Sequence, residues 1–447
     1  MSTRNENSAK AQMLQEVRGS LRSSYSVAGS QVLKIVIQFV SVLALTRLFS
    51  PEDFGTLALA SLAVLVVELV RDQGLTSVLL SSPDVSREQI RLLGQRQILI
   101  ALSGMVVMAL AGLLLEMQGS YAGALYVFTL MGLLPVFSAL QMPCIVYLTN
   151  AGRFRIQNLA DVLSYSAGFG FALALALAGF GLIALVVQPL LSAFLSMVIR
   201  FAFSPWRVFS ARTVVDTQHL QQKGRKVFAS NILNLSAAYT DSLAIAIQYS
   251  TFQLGGYNRL YQILVGSASQ LITSLGPLIL SAFGKLKSDS KAMIKFSDFF
   301  IYRLGIPSAI LVGLSTPHSK TLVTLLFGAE WGTFSTIFLL LAFAAVFQVL
   351  TYVATWLSTA LLSGKEILRT TGIAKLPSVV AVGLSSFLGT EAVAMTLAAT
   401  QILTWLVFSF RNANALNSKV FQVLRSGLVV IGTLALTAAI SSWASNI

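Results

Sequence analysis

The sequence predicts an all-α polytopic membrane protein with about 12–14 transmembrane helices. Its 447 residues are 55% hydrophobic and 11% charged, which is too apolar and too weakly charged for a soluble protein of this length. The apolar residues form long runs, and roughly 20 helical residues are enough to cross about 30 Å of hydrocarbon. Lysine and arginine occur mainly in every second gap between the runs. Loops that stay in the cytoplasm have this excess of positive charge.

Thirteen segments have the length of a membrane span. They run over residues 24–48, 54–80, 98–115, 122–148, 159–178, 182–203, 227–249, 255–283, 299–316, 334–362, 373–388, 392–410 and 427–447. Gaps as short as 50–53 and 177–181 require the neighbouring helices to be antiparallel. The segments therefore predict a compact helical bundle.

The basic gaps lie at 4–22, 87–96, 153–155, 200–226, 285–295, 365–375 and 411–425, whereas the intervening gaps hold Arg47 and Lys320. This alternation predicts that the polar N-terminal segment, residues 1–23, is cytoplasmic. It also explains the formal net charge of +14 without nucleic acid, because no continuous basic face is left to bind a phosphate backbone. Membrane lipids with anionic head groups are the expected partners of these loops.

A weak internal repeat divides the chain into two halves. At an offset of 200, LFSPEDFG at 48–55 aligns with QYSTFQLG at 248–255, so each half begins with a helix, a short turn and a second helix. The basic segment 205–226 is then a cytoplasmic linker between two pseudo-symmetric six-helix lobes, 24–204 and 227–411, and 412–447 adds a further span. Parallel repeats of this kind enclose a central cavity, where a substrate would bind.

Polar side chains follow one face of the first segment, where Gln31, Lys34, Gln38 and Ser41 recur at helical spacing. The seventh segment has Asn231, Asn234 and Asp241 at the corresponding offset of 200. A charge in the membrane costs at least about 2.5 kcal/mol, so Lys34 and Asp241 should face the bundle interior or water. The stripes either pack helices together or line a cavity.

The second segment brings together Glu68, Arg71 and Asp72. Glu68 and Arg71 are three residues apart on a helix, so they can form an ion pair that neutralises one charge locally. The group is either such a structural pair or a carboxylate that responds to protons or cations.

The eighth segment carries Tyr257, Arg259, Tyr261 and Gln262, and its arginine lies near the external end. The ninth carries Arg303 about one turn inside the cytoplasmic end, where the side chain can extend to the lipid head groups.

The sequence contains no motif that indicates an enzyme, a metal site or a cofactor site. Cys144 is the single cysteine, and His219 and His318 are the two histidines. There is no phosphate-binding loop, no HExxH motif and no nucleophile elbow. We therefore expect a protein that is not an enzyme and that needs no cofactor.

Two stretches resemble a known family. LTRLFSPEDFGTLA at 45–58, followed by DQGL at 72–75, resembles the first hairpin of the Wzx-like bacterial polysaccharide flippases of the MOP exporter superfamily. Asp241, LGGYNRLY at 254–261 and Pro277 resemble the start of that family's second half. The resemblance covers about residues 24–400.

The resemblance implies a transporter that flips an oligosaccharide linked to undecaprenyl pyrophosphate across the bacterial inner membrane by alternating access. Exopolysaccharide, O-antigen or capsule would be the exported product. A pyrophosphate needs cationic partners, for which the candidates are Lys34, Arg71, Arg259 and Arg303. Candidates for contacts with sugar hydroxyls are Asn231, Asn234, Tyr257, Tyr261 and Gln262, and candidates for ion coupling are Glu68, Asp72 and Asp241.

Besides the lipid-linked oligosaccharide, a polysaccharide polymerase and chain-length proteins are the partners that the resemblance implies. Two alternatives remain open at this stage. One is a cation- or proton-coupled multidrug or metabolite antiporter of the same superfamily, which would favour buried carboxylates. The other is a noncatalytic membrane scaffold of a polysaccharide-synthesis complex, in which the embedded charges would be structural.

The charge pattern can be tested with topology reporters. Reporter domains fused after Arg212 and after Lys291 are expected to be active in the cytoplasm, because both fusion points lie in basic gaps. A fusion after Lys320, in one of the other gaps, is the matched control and should report the opposite side. Periplasmic signals after both Arg212 and Lys291 would contradict the predicted orientation.

Overall fold

The regular structure of the chain is helical. A computed structural model describes residue 29 and residues 33–82, 85–118, 123–205, 216–286 and 289–445, none of which forms a β-strand. The α-helices are α1 Leu33–Thr46, α2 Pro51–Asp72, α3 Leu75–Ser81, α4 Arg87–Met117, α5 Ala124–Met131, α6 Leu133–Asn150, α7 Phe154–Leu177, α8 Leu182–Ala202, α9 Gln218–Gln248, α10 Thr251–Tyr261, α11 Ser267–Lys285, α12 Ser290–Phe300, α13 Ile306–Ser315, α14 Ser319–Phe327, α15 Ser335–Leu361, α16 Gly364–Ser385, α17 Thr390–Ala415 and α18 Val420–Ala444.

Ten helical segments in this part of the chain are long and apolar enough to cross a membrane. Two of them join neighbouring helices, namely Ala124–Asn150 over α5–α6 and Ser290–Ser315 over α12–α13. The other three of the thirteen predicted segments are helical as well, in α1, α9 and α10–α11. The prediction of an all-α, multi-pass membrane protein is confirmed.

Some helix boundaries differ from the prediction. Helix α9 begins at Gln218, inside the predicted linker 205–226, because the Asp216 carboxylate accepts a hydrogen bond of 2.8 Å from the Gln218 backbone N–H. Helix α14 lies in the gap between the predicted spans 299–316 and 334–362. Its 9 residues are too few to span a membrane, so the sequence pattern does not predict it. Residues 206–215 and the predicted N-terminal segment 1–23 lie outside the described residues.

The chain divides into two compact units. The first includes the described residues before Val42 and Ala63–Asn231, and the second includes Val42–Leu62 and the described residues from Ile232 onward. The first unit has an apolar core of side chains from α3, α4, α6 and α9, namely Leu75, Val78, Leu79, Ile90, Leu93, Met142, Val146 and Leu220. Two six-helix lobes, 24–204 and 227–411, remain a prediction.

Helix α15 is at the centre of the second unit. A larger share of the most apolar stretch of this segment is buried than in any other segment of membrane-spanning length in the described chain. Its side chains pack against α11, α13, α14 and α17, and Trp405 and Phe408 of α17 are almost fully buried. A mostly apolar helix surrounded by other helices can contribute side chains in every direction.

In the second unit, α2 and α10 meet at two glycines near their N-terminal ends. A Cβ atom on Gly55 would overlap the Thr251 carbonyl oxygen, and one on Gly255 would overlap the Pro51 carbonyl oxygen. Gly55 and Gly255, like Pro51 and Thr251, are separated by the offset of the internal repeat. The contact is therefore reciprocal, as it would be at a local two-fold axis.

Two side chains donate hydrogen bonds to backbone carbonyls at the ends of α1 and α14. Trp331 Nε1 donates a hydrogen bond of 3.1 Å to the Thr46 carbonyl at the end of α1. Arg47 donates to the Leu325 carbonyl and, at 3.2 Å, to the Leu326 carbonyl near the end of α14. The last carbonyls of a helix lack helical partners, and a cation near them is stabilising. These contacts give Arg47 a structural role.

Two long helices are interrupted by π-helical turns. Gln262–Gly266 joins α10 to α11, and Ile301–Gly305 joins α12 to α13. In the first turn the Ser267 hydroxyl donates a hydrogen bond of 3.2 Å to the Gln262 carbonyl. Such turns are rare and are often found at functional sites.

The glycine contact can be tested with a single methyl group. Gly255→Ala is expected to destabilise the protein by about 1–3 kcal/mol, because the added Cβ must displace the backbone of α2. Thermal unfolding of the purified protein in detergent measures the effect. Gly372→Ala is the matched control, since a Cβ on this helical glycine meets no atom within 4 Å and should be neutral or stabilising. Equal midpoints for the two variants would contradict the packing argument.

Candidate functional site

The polar stripe predicted on α1 makes contacts within the first unit. Lys34 Nζ lies 3.9 Å from Asp161 Oδ2 on α7. Ser41, which is fully buried, accepts a hydrogen bond of 2.7 Å from Gln188 Nε2 on α8. Gln31 lies outside the described residues, and Gln38 is half-buried. The stripe is therefore at least partly a packing surface, which was one of its two interpretations.

Asp161 holds a second cation. Arg200 Nη2 lies 2.6 Å from Asp161 Oδ1, while its Nη1 donates to Gln141 at 2.6 Å and to Ser196. The Arg200 side chain is buried, and its Nε atom has no hydrogen-bond partner among the described residues. Two cations thus share one carboxylate, and this Lys34–Asp161–Arg200 cluster has an excess positive charge.

The Glu68–Arg71 ion pair predicted on α2 is confirmed. Arg71 donates from Nε at 2.9 Å and from Nη2 at 2.7 Å to Glu68 Oε2. Its Nη1 donates at 2.6 Å to Gln97 on α4, so the buried guanidinium already has two partners. Asp72 accepts hydrogen bonds from the Thr76 backbone N–H and hydroxyl at the start of α3. These contacts are local to the first unit.

Asp241 is a buried carboxylate of the second unit. It accepts a hydrogen bond of 2.8 Å from the Tyr257 hydroxyl and one of 2.7 Å from the Ser242 backbone N–H. Tyr257 is fully buried and stacks on Tyr261, with ring centroids 6.2 Å apart. A carboxylate away from water requires such donors, so Tyr257 is a positioning partner of Asp241.

A cavity of about 340 Å³ lies beside Asp241, between α9, α11, α15, α16 and α17, and Tyr261 at the end of α10 also lines it. Three of the predicted site residues line it, namely Asn234, Asp241 and Tyr261. The other polar lining residues are Thr240, Ser269, Gln348, Thr351, Tyr352, Thr355, Thr371, Lys375, Ser378, Thr400, Gln401 and Thr404. Asn231, Tyr257 and Gln262 are not among the residues that line it.

Two predicted cationic residues lie elsewhere. Arg259 donates a hydrogen bond of 2.8 Å to Gln262, and its guanidinium carbon is 4.2 Å from the centre of the Phe54 ring. Arg303 is exposed in the second π turn, 5.3 Å from the centre of the Phe299 ring. Exposure of this kind fits a side chain that extends toward lipid head groups.

Lys375 is a charged lining residue that lies both in the basic gap 365–375 and at the start of the predicted span 373–388, and it is not among the predicted site residues. Helix α16 already begins at Gly364, because Ser363 and Glu366 form a capping box in which the Glu366 carboxylate accepts from the Ser363 backbone N–H at 2.8 Å. Lys375 is therefore inside a helix, three turns from its start. The Ser-x-x-Glu pattern at 363–366 is the signal in the sequence that identifies this start.

The fold is shared with membrane transporters of known structure. The chain is similar to "Lipid II flippase MurJ, inward closed conformation", with a TM-score of 0.67, 12% identity and coverage of 93% of this chain and 98% of the other. A multidrug resistance MATE family transporter of the MOP superfamily, in an inward-facing conformation, matches with a TM-score of 0.55, 12% identity and coverage of 92% and 98%. At these identities the likeness shows the fold.

The particular family follows from sequence comparison. The "Succinoglycan biosynthesis transport protein ExoT" of Rhizobium meliloti (strain 1021) is 25% identical over 310 residues, which are 66% of this chain. The match spans 60% of that relative's length. Residues 44–336 match the profile of the family described as "Polysaccharide biosynthesis protein", and the chain belongs to this family.

The geometry of the charged cluster predicts which of its groups matters for stability. Asp161→Asn should destabilise the protein by about 2 kcal/mol, because it leaves the buried Arg200 guanidinium without its counter-charge. Lys34→Met should cost less than about 1 kcal/mol, since the Lys34 ammonium is 3.9 Å from the carboxylate and both side chains are partly exposed. Denaturant unfolding in detergent compares the two variants, and equal losses would contradict this assignment.

Proposed function

We propose that this protein flips an oligosaccharide linked to undecaprenyl pyrophosphate across the bacterial inner membrane, by alternating access, for the export of a polysaccharide. Its family membership and the named functions of ExoT and MurJ support the proposal. In the proposed topology the N-terminus is cytoplasmic. A polysaccharide polymerase and chain-length proteins are the proposed partners.

The observation that carries the proposal is the excess positive charge of the Lys34–Asp161–Arg200 cluster. Arg200 is held by three partners, including Asp161 at 2.6 Å, whereas Lys34 is only loosely attached at 3.9 Å. An incoming pyrophosphate therefore competes with Asp161 for the Lys34 ammonium, while Arg200 keeps the carboxylate in place. Phosphate groups bind most strongly to charged donors of this type.

The other three candidate cations, Arg71, Arg259 and Arg303, differ from Lys34 in the contacts that they already make. Arg71 has both Glu68 and Gln97 as hydrogen-bond partners, and Arg259 contacts Gln262 and Phe54. These guanidinium groups already have partners that neutralise or screen part of their charge. Arg303 is exposed, which suits a contact with head groups at the membrane surface. Lys34 is the first choice for the pyrophosphate.

The antiporter is retained as a second candidate because of Asp241. This carboxylate is 4% exposed and lines the cavity of the second unit, as a binding site for an organic cation would require. A neighbouring Lys375 ammonium opposes a second cation in the same cavity. The charge of the cavity therefore favours the flippase.

Reconstitution of the purified protein in liposomes tests the proposal. Transbilayer movement of a short oligosaccharide linked to undecaprenyl pyrophosphate is expected, and Lys34→Met should slow it about tenfold by removing one charge-assisted contact. Lys295→Met is the matched control, since Lys295 is an exposed residue of α12. The assay is run with and without pH and Na⁺ gradients.

Movement of the lipid-linked oligosaccharide that is equal for wild type and Lys34→Met would refute the role of Lys34. No movement of this lipid, together with gradient-driven efflux of an organic cation, would refute the flippase and favour the antiporter.

A further inference from the structure

We propose that the cavity between α9, α11, α15, α16 and α17 binds one uncharged sugar residue of the transported saccharide. This inference rests on the proposed function. It assigns a role to Gln348 and Lys375, neither of which is in a predicted binding motif. The second unit alone supplies every group that carries the argument.

The hydroxyl groups of the cavity are arranged as hydrogen-bond acceptors. Thr355 donates its hydrogen to the Thr351 carbonyl at 2.7 Å, and Thr404 donates to the Thr400 carbonyl at 2.7 Å. Thr351 itself donates to the Phe347 carbonyl at 3.1 Å. A threonine hydroxyl has one hydrogen and two lone pairs, so lone pairs remain for a ligand. The lining therefore favours a ligand that has several O–H donors.

Gln348 adds an acceptor that is already out of contact with bulk water. Its side-chain amide donates a hydrogen bond of 2.7 Å to the Ser269 hydroxyl, which fixes the orientation of the group. The residue is only 7% exposed, and its Oε1 atom is buried without a hydrogen-bond partner among the described residues. Buried polar atoms are nearly always hydrogen-bonded in folded proteins. A ligand hydroxyl would satisfy this oxygen.

The charges of the cavity select a neutral ligand. Asp241 is 4% exposed and has Tyr257 and Ser242 as donors, while Lys375 forms no ion pair within the described chain. One ammonium and one carboxylate in the same cavity leave no net charge that would attract a free anion or cation. An ammonium donates to hydroxyl oxygens and a carboxylate accepts from hydroxyl hydrogens, so together they suit a polyhydroxylated ring.

The size of the cavity limits the ligand to one ring. Small-molecule sites have volumes of about 300–1,000 Å³, and a cavity of about 340 Å³ is at the small end of this range. Tyr261 and Tyr352 add aromatic surface to the lining, and the apolar face of a sugar ring can pack on such surface. A complete oligosaccharide must therefore extend beyond this cavity.

Two lipids that differ only in the sugar provide the test. Equilibrium binding to the purified full-length protein is measured for undecaprenyl pyrophosphate and for the same lipid carrying a short oligosaccharide of neutral hexoses. Wild type is expected to bind the glycosylated lipid about tenfold more tightly. Gln348→Leu should remove this difference while it leaves the affinity for the sugar-free lipid unchanged.

Lys375→Met is a second test of the same cavity that does not depend on the folding of Gln348→Leu. It should also reduce the difference between the two lipids, because it removes the ammonium donors. Gln422→Leu and Lys295→Met are matched controls at exposed positions of α18 and α12, and both should keep the wild-type difference. Thermal unfolding of each variant confirms that it is folded.

The outcomes separate this inference from the proposed function. If wild type binds both lipids equally, or if the cavity variants weaken both lipids equally, the sugar subsite is refuted while the flippase stands. If wild type binds neither lipid, the proposed function fails and the subsite fails with it. If Na⁺ raises the thermal stability of wild type and Gln348→Leu abolishes this effect, the cavity is a cation site, which also overturns the inference.

Discussion

The free-energy cost of placing a charge in hydrocarbon is the constraint on which the rest of this structure depends. Arg200 and Arg71 are buried in segments of membrane-spanning length, and each has a carboxylate within 3 Å. Asp241 obtains the same protection from a tyrosine hydroxyl and a backbone N–H. Lys34 and Lys375 have weaker internal partners than these groups, since one is 3.9 Å from its carboxylate and the other lines a cavity. Loosely held cations of this kind remain available for other ligands.

The two units have opposite hydrogen-bonding characters. The polar cluster of the first unit has more donors than acceptors, because two cations share Asp161 and the Arg200 Nε atom has no partner in the described structure. The cavity of the second unit is rich in acceptors, through Gln348 Oε1 and the threonine lone pairs. A lipid-linked saccharide combines a pyrophosphate, which accepts hydrogen bonds, with sugar hydroxyls, which donate them. Under the proposed function, the pyrophosphate would therefore match the first unit and the sugar hydroxyls the second.

The sequence predicts the helices well because hydrophobic length and local pairs are properties of neighbouring residues. Glu68 and Arg71 are three residues apart in the sequence, and the polar stripe of the first helix follows from helical periodicity. Asp161 and Arg200 form their pair across 39 positions of sequence, and Gln348 meets Ser269 across 79. No periodicity within one helix identifies such partners, so of the residues that line the cavity only Asn234, Asp241 and Tyr261 could be predicted as site residues. Lys375 falls in the overlap of the basic gap 365–375 and the predicted span 373–388, and the capping box at 363–366 is the sequence signal that it lies inside a helix.

The π turn Gln262–Gly266 has a consequence for evolution of the cavity. Tyr261 and Ser269, on either side of this turn, both line the cavity. In an uninterrupted α-helix, two positions eight residues apart differ by about 80° around the axis, because each residue turns the helix by about 100°. The wider turn compensates for this difference. The deletion of one codon in this region would restore a regular helix with the two residues seven positions apart, only about 20° from alignment, so the π turn could be lost in this way while Ser269 and Tyr261 still face the cavity together.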